Sequence, residues 1–139
     1  MKYSLKEVFA FTEAWLLLHF SKSLIVLIPF RYIAARLGKK NCEKENATIE
    51  QEYWSHVEIA IVRAARFTFY KSRCFDQAIT GKIMLKRRGV PTTLYLGILK
   101  EQNNLEAHAW LSVGASVVTG KMGMERYTPI VWFGDQEQA

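Results

Sequence analysis

Two side chains in this 139-residue chain are suited to covalent chemistry on a carbonyl, Cys74 and His108. A thiol at the start of a helix meets unpaired backbone N–H groups and the positive end of the helix dipole, which favour thiolate over thiol. Ser72 precedes a run in which Phe75, Ala78, Ile79 and Ile83 recur at helical spacing. That pattern predicts Ser72 as N-cap, Cys74 in the first turn, and a helix stopped by Gly89 and Pro91. The same N–H groups can receive the oxyanion of a tetrahedral intermediate. A cysteine nucleophile also needs a proton carrier for the leaving amine, and His108, in a strand-like run with Trp110 and Ser112, is the candidate general acid and base. Taken alone, a helix cysteine is ordinarily a small core residue. The two residues together, a helix-start Cys followed by a strand His, are what indicate a site.

The elements that must position this pair divide the chain in two. Ser4 and Glu7 have the spacing of a capping box ahead of Val8, Phe9, Phe11, Ala14, Trp15, Leu17 and Leu18, which recur at helical intervals until Ser21 to Ser23 interrupts them. The apolar run Leu24 to Phe30 is expected to end or kink at Pro29, and Arg31 to Leu37 reads as one or two further turns stopped by Gly38. Lys39 to Ala47 is polar and aperiodic, a linker or exposed loop containing Cys42. Thr48 and Gln51 suggest a second capping box opening a helix to about Arg66, with Ile49, Tyr53, Val57, Ile61 and Ala65 along one side and His56 at its flank. Beyond Pro91 the period changes to two: Leu94 to Ile98, Ala107 to Val113, Ala115 to Thr119 around Gly114, and Tyr127 to Phe133 read as short antiparallel strands. The expected class is α+β in one domain over 1–139. Residues 1–70 form a helical scaffold and partner-docking part, and 71–139 a catalytic part in which the Cys-bearing helix packs on a small sheet. Papain-like and transglutaminase-like enzymes use that arrangement of helix Cys and sheet His.

Composition removes several other classes. Hydrophobic residues at 50% and charged residues at 23% exclude a disordered or low-complexity chain. Nineteen Lys and Arg against thirteen Asp and Glu give a net charge of +6, which suits an acidic partner or an anionic surface. Two cysteines and no cleavable signal peptide suggest a reducing cytoplasm, where the Asn46-Ala47-Thr48 sequon goes unused. Ala14 to Phe30 is mostly apolar but carries His19, Lys22 and Pro29. It falls short of the roughly 20 residues of a spanning helix and reads as a core or partner face, with peripheral membrane contact as the intermediate case. The run Lys82, Lys86, Arg87 and Arg88 reads as a solvated helix face, or more sharply as a docking face for an acidic peptide. No exposed aromatics interleave with it, so nucleic acid is not an expected partner. The sequence has no glycine-rich phosphate loop and no paired metal-ligand spacing, so neither a cofactor nor a metal is expected.

Cys74-Phe75-Asp76-Gln77-Ala78, Leu85 to Gly97 with its Gly89-Val90-Pro91 core, and Ala107-His108-Ala109-Trp110-Leu111 together resemble the leader peptidase of lasso peptide biosynthesis, within the transglutaminase-like superfamily. The ordered motifs cover Cys74 to about Phe133, and the first half agrees only in helical character. The resemblance implies a cysteine protease that removes the leader from a ribosomally made precursor, before an ATP-dependent lasso cyclase closes the ring. It implies the split form, working with the precursor leader peptide and a separate leader-binding recognition protein. Cys74 would be the nucleophile and His108 the general acid and base. A third member, usually Asp, is expected on the following strand, but near the position opposite His108 the chain has Thr119-Gly120. Thr119, a backbone carbonyl, Glu125 and Asp76 stay open as the group that orients His108. Two other readings use the same residues: an acyl transferase, and a non-catalytic peptide-binding module that retains the fold.

Overall fold

A computed structural model describes residues 3–40 and 50–135, so Cys42, the sequon and the Thr48 half of the second capping box lie outside the described residues. The architecture is α+β: helices in the first half, then a helix and strands that complete a five-stranded antiparallel sheet.

Helix α1 (Leu5–Leu27) begins at the expected capping box, where Ser4 Oγ accepts the Glu7 N–H at 3.2 Å and Glu7 accepts the Ser4 N–H at 2.8 Å. Contrary to the expected break, α1 runs straight through Ser21 to Ser23. Each serine has a partner: Ser23 Oγ donates within the helix to the His19 carbonyl at 2.9 Å, and buried Ser21 Oγ lies 3.1 Å from Thr80 Oγ1, far along the chain. Pro29 then ends the helix and opens α2 (Phe30–Arg36). Gly38, at φ +127°, brings the chain so close to the Gly134 backbone that any Cβ would collide with it. The first two residues of the expected linker therefore become an edge strand, β1 (Lys39–Lys40), and not a loop.

Helix α3 (Ser55–Ala65) is shorter than its apolar spacing predicts, because a single 3-10 turn at Gln51–Tyr53 precedes it. Its buried line is Val57, Ala60, Ile61 and Ala64, while Tyr53 is exposed. Helix α4 (Cys74–Arg87) comes next, then β2 (Thr93–Glu101), β3 (Asn104–Val113), β4 (Ser116–Thr119) and β5 (Thr128–Gly134) in the spatial order β1-β5-β2-β3-β4. The β2–β3 hairpin turns on Gln102 and Asn103, with Gln102 at φ 50°. Alternation along β3 sends Ala109, Leu111 and Val113 into a core shared with Ala14, Leu18, Ile61 and Met84. That core is continuous from α1 to β5.

Of the basic run, Lys86, Arg87 and Arg88 are exposed as a solvated face would be, but Lys82 is not. Lys82 is buried between α4 and the sheet, with Nζ 3.2 Å from Asp135 and donating to Thr92 Oγ1 (3.1 Å) and to the Thr92 and Phe133 carbonyls (both 3.3 Å). Arg87 and Arg88 both pair with Glu13 of α1, and Arg88 Nε donates to His56 Nε2 at 3.1 Å. Burial lowers the Lys82 amine, and the Asp135 carboxylate opposes that shift.

These pairs can be tested by unfolding. Asp135→Ala leaves a buried charge without its counter-ion and is expected to cost about 3–5 kcal/mol in urea unfolding. The double variant Lys82→Met/Asp135→Ala should lose less; an equal or larger loss would show that the pair is not what holds α4. Burial, and after it the charges of Arg88 and Lys6, lowers the imidazole of His56 below the ordinary 6.5. In that window the unfolded chain binds more protons than the folded one. The site's contribution is therefore complete above about pH 6.5 and is lost as pH falls. The drop in urea midpoint between about pH 7.5 and about pH 5.5 should be smaller in His56→Gln; an unchanged drop would assign the acid sensitivity elsewhere.

Candidate active site

Cys74 is the first residue of α4, so its own N–H and those of the next residues have no helical acceptor. The N-cap is Arg73 and not Ser72; the Arg73 N–H is held at 2.9 Å by Asp76 Oδ1, reaching back one turn. Ser72 instead accepts from Gln77 Nε2 at 3.2 Å. Cys74 is a free thiol, half-buried against the core.

His108 sits in the middle of β3, opposite Gly97 of β2. It shares a face with Trp110, whose ring occupies the space a side chain at Gly97 would need. Trp110 in turn stacks on Tyr95, with centroids 5.5 Å apart and planes 9° apart. The His108 ring has two aromatic neighbours, Trp110 at 5.9 Å and Tyr127 at 4.9 Å. Its Nε2 is 2.8 Å from the carbonyl oxygen of Gly120. A carbonyl can only accept, so Nε2 carries the proton and the lone pair of neutral His108 is on Nδ1.

That hydrogen bond identifies the partner of His108 as a main-chain group. None of the three side chains considered for the role supplies it: Glu125 lies exposed in the 3-10 turn Met124–Arg126. Thr119 directs its methyl toward Gly81 of α4, and its hydroxyl is buried with no hydrogen-bond partner. Asp76 is buried at the other end of its own capping bond, where its charge, after desolvation, raises the phenol of Tyr70. Gly120 takes φ +75°, and a Cβ there would overlap the Ala109 carbonyl and the Trp110 side chain. Only glycine brings its carbonyl so close to β3.

Tyr127 is the residue that sequence reasoning missed. It ends the 3-10 turn Met124–Arg126, packs its ring against His108 at a tilt of 30°, and donates its hydroxyl to Glu106 Oε2 at 3.2 Å. Its phenol is raised by desolvation, then by the hydrogen bond to Glu106 and that carboxylate's charge. Tyr127 thus links the His108 ring to a carboxylate on the same strand. Among the described residues no hydrogen bond joins the Cys74 thiol to the His108 imidazole, whose Nε2 is bonded to Gly120; catalytic hydrogen bonds often tighten only with substrate. Among the described residues no group of three or more His, Cys, Asp or Glu side chains could hold a metal.

A family model described as "Transglutaminase-like superfamily" matches residues 15–132, and the chain belongs to that superfamily, which includes cysteine proteases and acyltransferases. No curated protein and no solved structure matches the chain.

Gly89 offers an internal control for Gly120. Both take nearly the same positive φ, +73° and +75°, but a Cβ at Gly89 would meet nothing within 4 Å. Each Gly→Ala change carries a left-handed backbone cost of about 1–3 kcal/mol. Gly120→Ala is expected to lose clearly more in urea unfolding than Gly89→Ala. Equal losses would mean the close approach at Gly120 does not constrain the loop that holds His108.

Proposed function

We propose that this chain is a cysteine peptidase that removes the leader from a lasso peptide precursor. What supports the chemistry is the assignment of His108 Nε2–H to the Gly120 carbonyl, which leaves Nδ1 as the basic nitrogen, in a superfamily chain whose Cys74 opens a helix. What supports the substrate is the ordered set of motifs from Cys74 through Gly97 to Trp110.

In this reading Nδ1 takes the Cys74 proton as sulfur attacks the scissile carbonyl at the leader–core junction. The oxyanion is received by the free N–H groups at the start of α4. Nδ1 then returns the proton to the departing amine, which is the new N-terminus of the core peptide. Water resolves the thioester, with His108 as its base. A separate leader-binding protein presents the precursor, a lasso cyclase uses the product, and the work takes place in the cytoplasm. The outward side of α1, with Leu5, Phe9, Leu16, Phe20 and Leu27 exposed, is the surface offered to such a partner or to a membrane periphery.

One observation favours a second reading. The acceptor for His108 is neutral where a triad has a carboxylate, as in a binding module that retains the fold without the activity. Cleavage of a synthetic precursor in the presence of a leader-binding protein, read out by mass spectrometry, separates the two. Cys74→Ala and His108→Ala are each expected to reduce cleavage by at least about 10³-fold while the fold persists. A Cys74→Ala protein that cuts at the parent rate would end the peptidase reading. On a Cys42→Ser background, Cys74 should also react with iodoacetamide faster than a free thiol, whereas ordinary reactivity favours the binding module. An added amine that intercepts the thioester in preference to water would make the enzyme an acyl transferase.

A further inference from the structure

We propose that Tyr127, pinned by Glu106, is a positioning residue that sets the plane of the His108 ring. The inference rests on the reading of Cys74 and His108 as the reacting pair, and extends it to a residue outside every motif that suggested that pair.

A single hydrogen bond at Nε2 fixes one atom of the imidazole. It determines the tautomer, but it leaves the ring free to turn about its side-chain torsions, and Nδ1 is the atom whose direction matters. A carboxylate with two oxygens and a side chain of its own would restrict that turning; one carbonyl of Gly120 does not. The turning is restricted by neighbouring rings. Trp110 lies 5.9 Å from the ring at 27° to its plane and is itself fixed by Tyr95 and the missing side chain of Gly97. Tyr127 lies closer, at 4.9 Å and 30°.

Tyr127 comes from the end of the turn after β4, so its ring would have little to hold it without an anchor. Glu106 supplies one, accepting the phenol proton from two residues before His108 on the same strand. The contacts form a closed circuit: Glu106 to Tyr127, Tyr127 to His108, and His108 to Gly120, with β3 carrying both Glu106 and His108. Glu106 acts here through Tyr127 and touches neither the thiol nor the imidazole.

The test combines a kinetic readout with one that needs no substrate. In precursor cleavage, Tyr127→Leu is expected to lower kcat about 10–100-fold with KM changed less than about twofold, the signature of a misplaced base. Tyr127→Phe keeps the ring and loses the anchor, and is expected to fall about 3–10-fold, as is Glu106→Leu. Because one hydrogen bond underlies both losses, the double variant should fall no further than either single one. By NMR, a slowly exchanging His108 Nε2–H signal should persist in Tyr127→Phe and vanish in Tyr127→Leu. Parent kcat together with a retained Nε2–H signal in Tyr127→Leu overturns the proposal. Should that variant fail to fold, additive losses in the Tyr127→Phe/Glu106→Leu cycle do so. Failure of the peptidase reading looks different: Cys74→Ala still cleaves, and the NMR comparison alone then decides the role of Tyr127.

Discussion

Everything at the candidate site depends on where α4 begins, and that is set by the burial of Lys82 against the sheet. An ammonium enclosed by Asp135, the Thr92 hydroxyl and two carbonyls tolerates little displacement, since each lost oxygen leaves a desolvated charge. One residue earlier, Gly81 lets α4 approach until Leu111 of β3 fills the place of a side chain; a Cβ there would lie 2.8 Å from Leu111 Cδ2. The polar lock and the close contact fix the helix in both distance and rotation. Two turns back along the same rigid rod lies Cys74, so the thiol is placed by groups far from any chemistry.

At the other half of the site, tasks that one carboxylate can perform together are divided. An aspartate beside a histidine selects the tautomer, aims the ring and supplies negative charge. Here a glycine carbonyl selects the tautomer, and it can do so only because residue 120 has no side chain. The nearest carboxylate on the same strand, Glu106, is separated from the imidazole by a tyrosine. In the proposed reaction the imidazolium forms next to a dipole in place of an anion, and proton transfer from thiol to His108 depends correspondingly more on the substrate's arrival.

Much of this was legible in the sequence because it is written in side chains. The Ser4–Glu7 cap, the Pro29 stop, the Gly38 turn and the change of period after Pro91 each have a local physical cause, and each appears where that cause places it. Cys74 at a helix start and His108 on a strand were legible for the same reason. The residues misread are those whose role comes from long-range packing. Lys82 sits in a basic run and nothing local shows that Asp135 will bury it. Ser21 looks like part of a helix break until Thr80, 59 residues on, is seen to meet it. The partner of His108 was hidden for a different reason: a main-chain acceptor is present at every residue, so no residue type signals it. Only the opposed glycine, lying where a carboxylate was expected, marked the place.

Helix α1 shows how far composition can mislead when two environments act on one element. It is long and apolar enough to cross a membrane by length and hydropathy, the single such helix among the described residues. Helical periodicity does not correct the impression, because α1 is apolar on two sides. Ala10, Ala14, Leu18 and Ser21 face the core, while Leu5, Phe9, Leu16, Phe20 and Leu27 face outward at intervals of four, seven, four and seven residues. The charges divide in the same way. Glu7 is used by the cap and by Arg63, and Glu13 by Arg87 and Arg88, so both acidic groups of the helix are engaged by the protein itself. The small, close-packing residues of the inner side are those that let the helix dock on α3 and α4. The inner side is therefore explained by the fold, and only the outer stripe requires a partner.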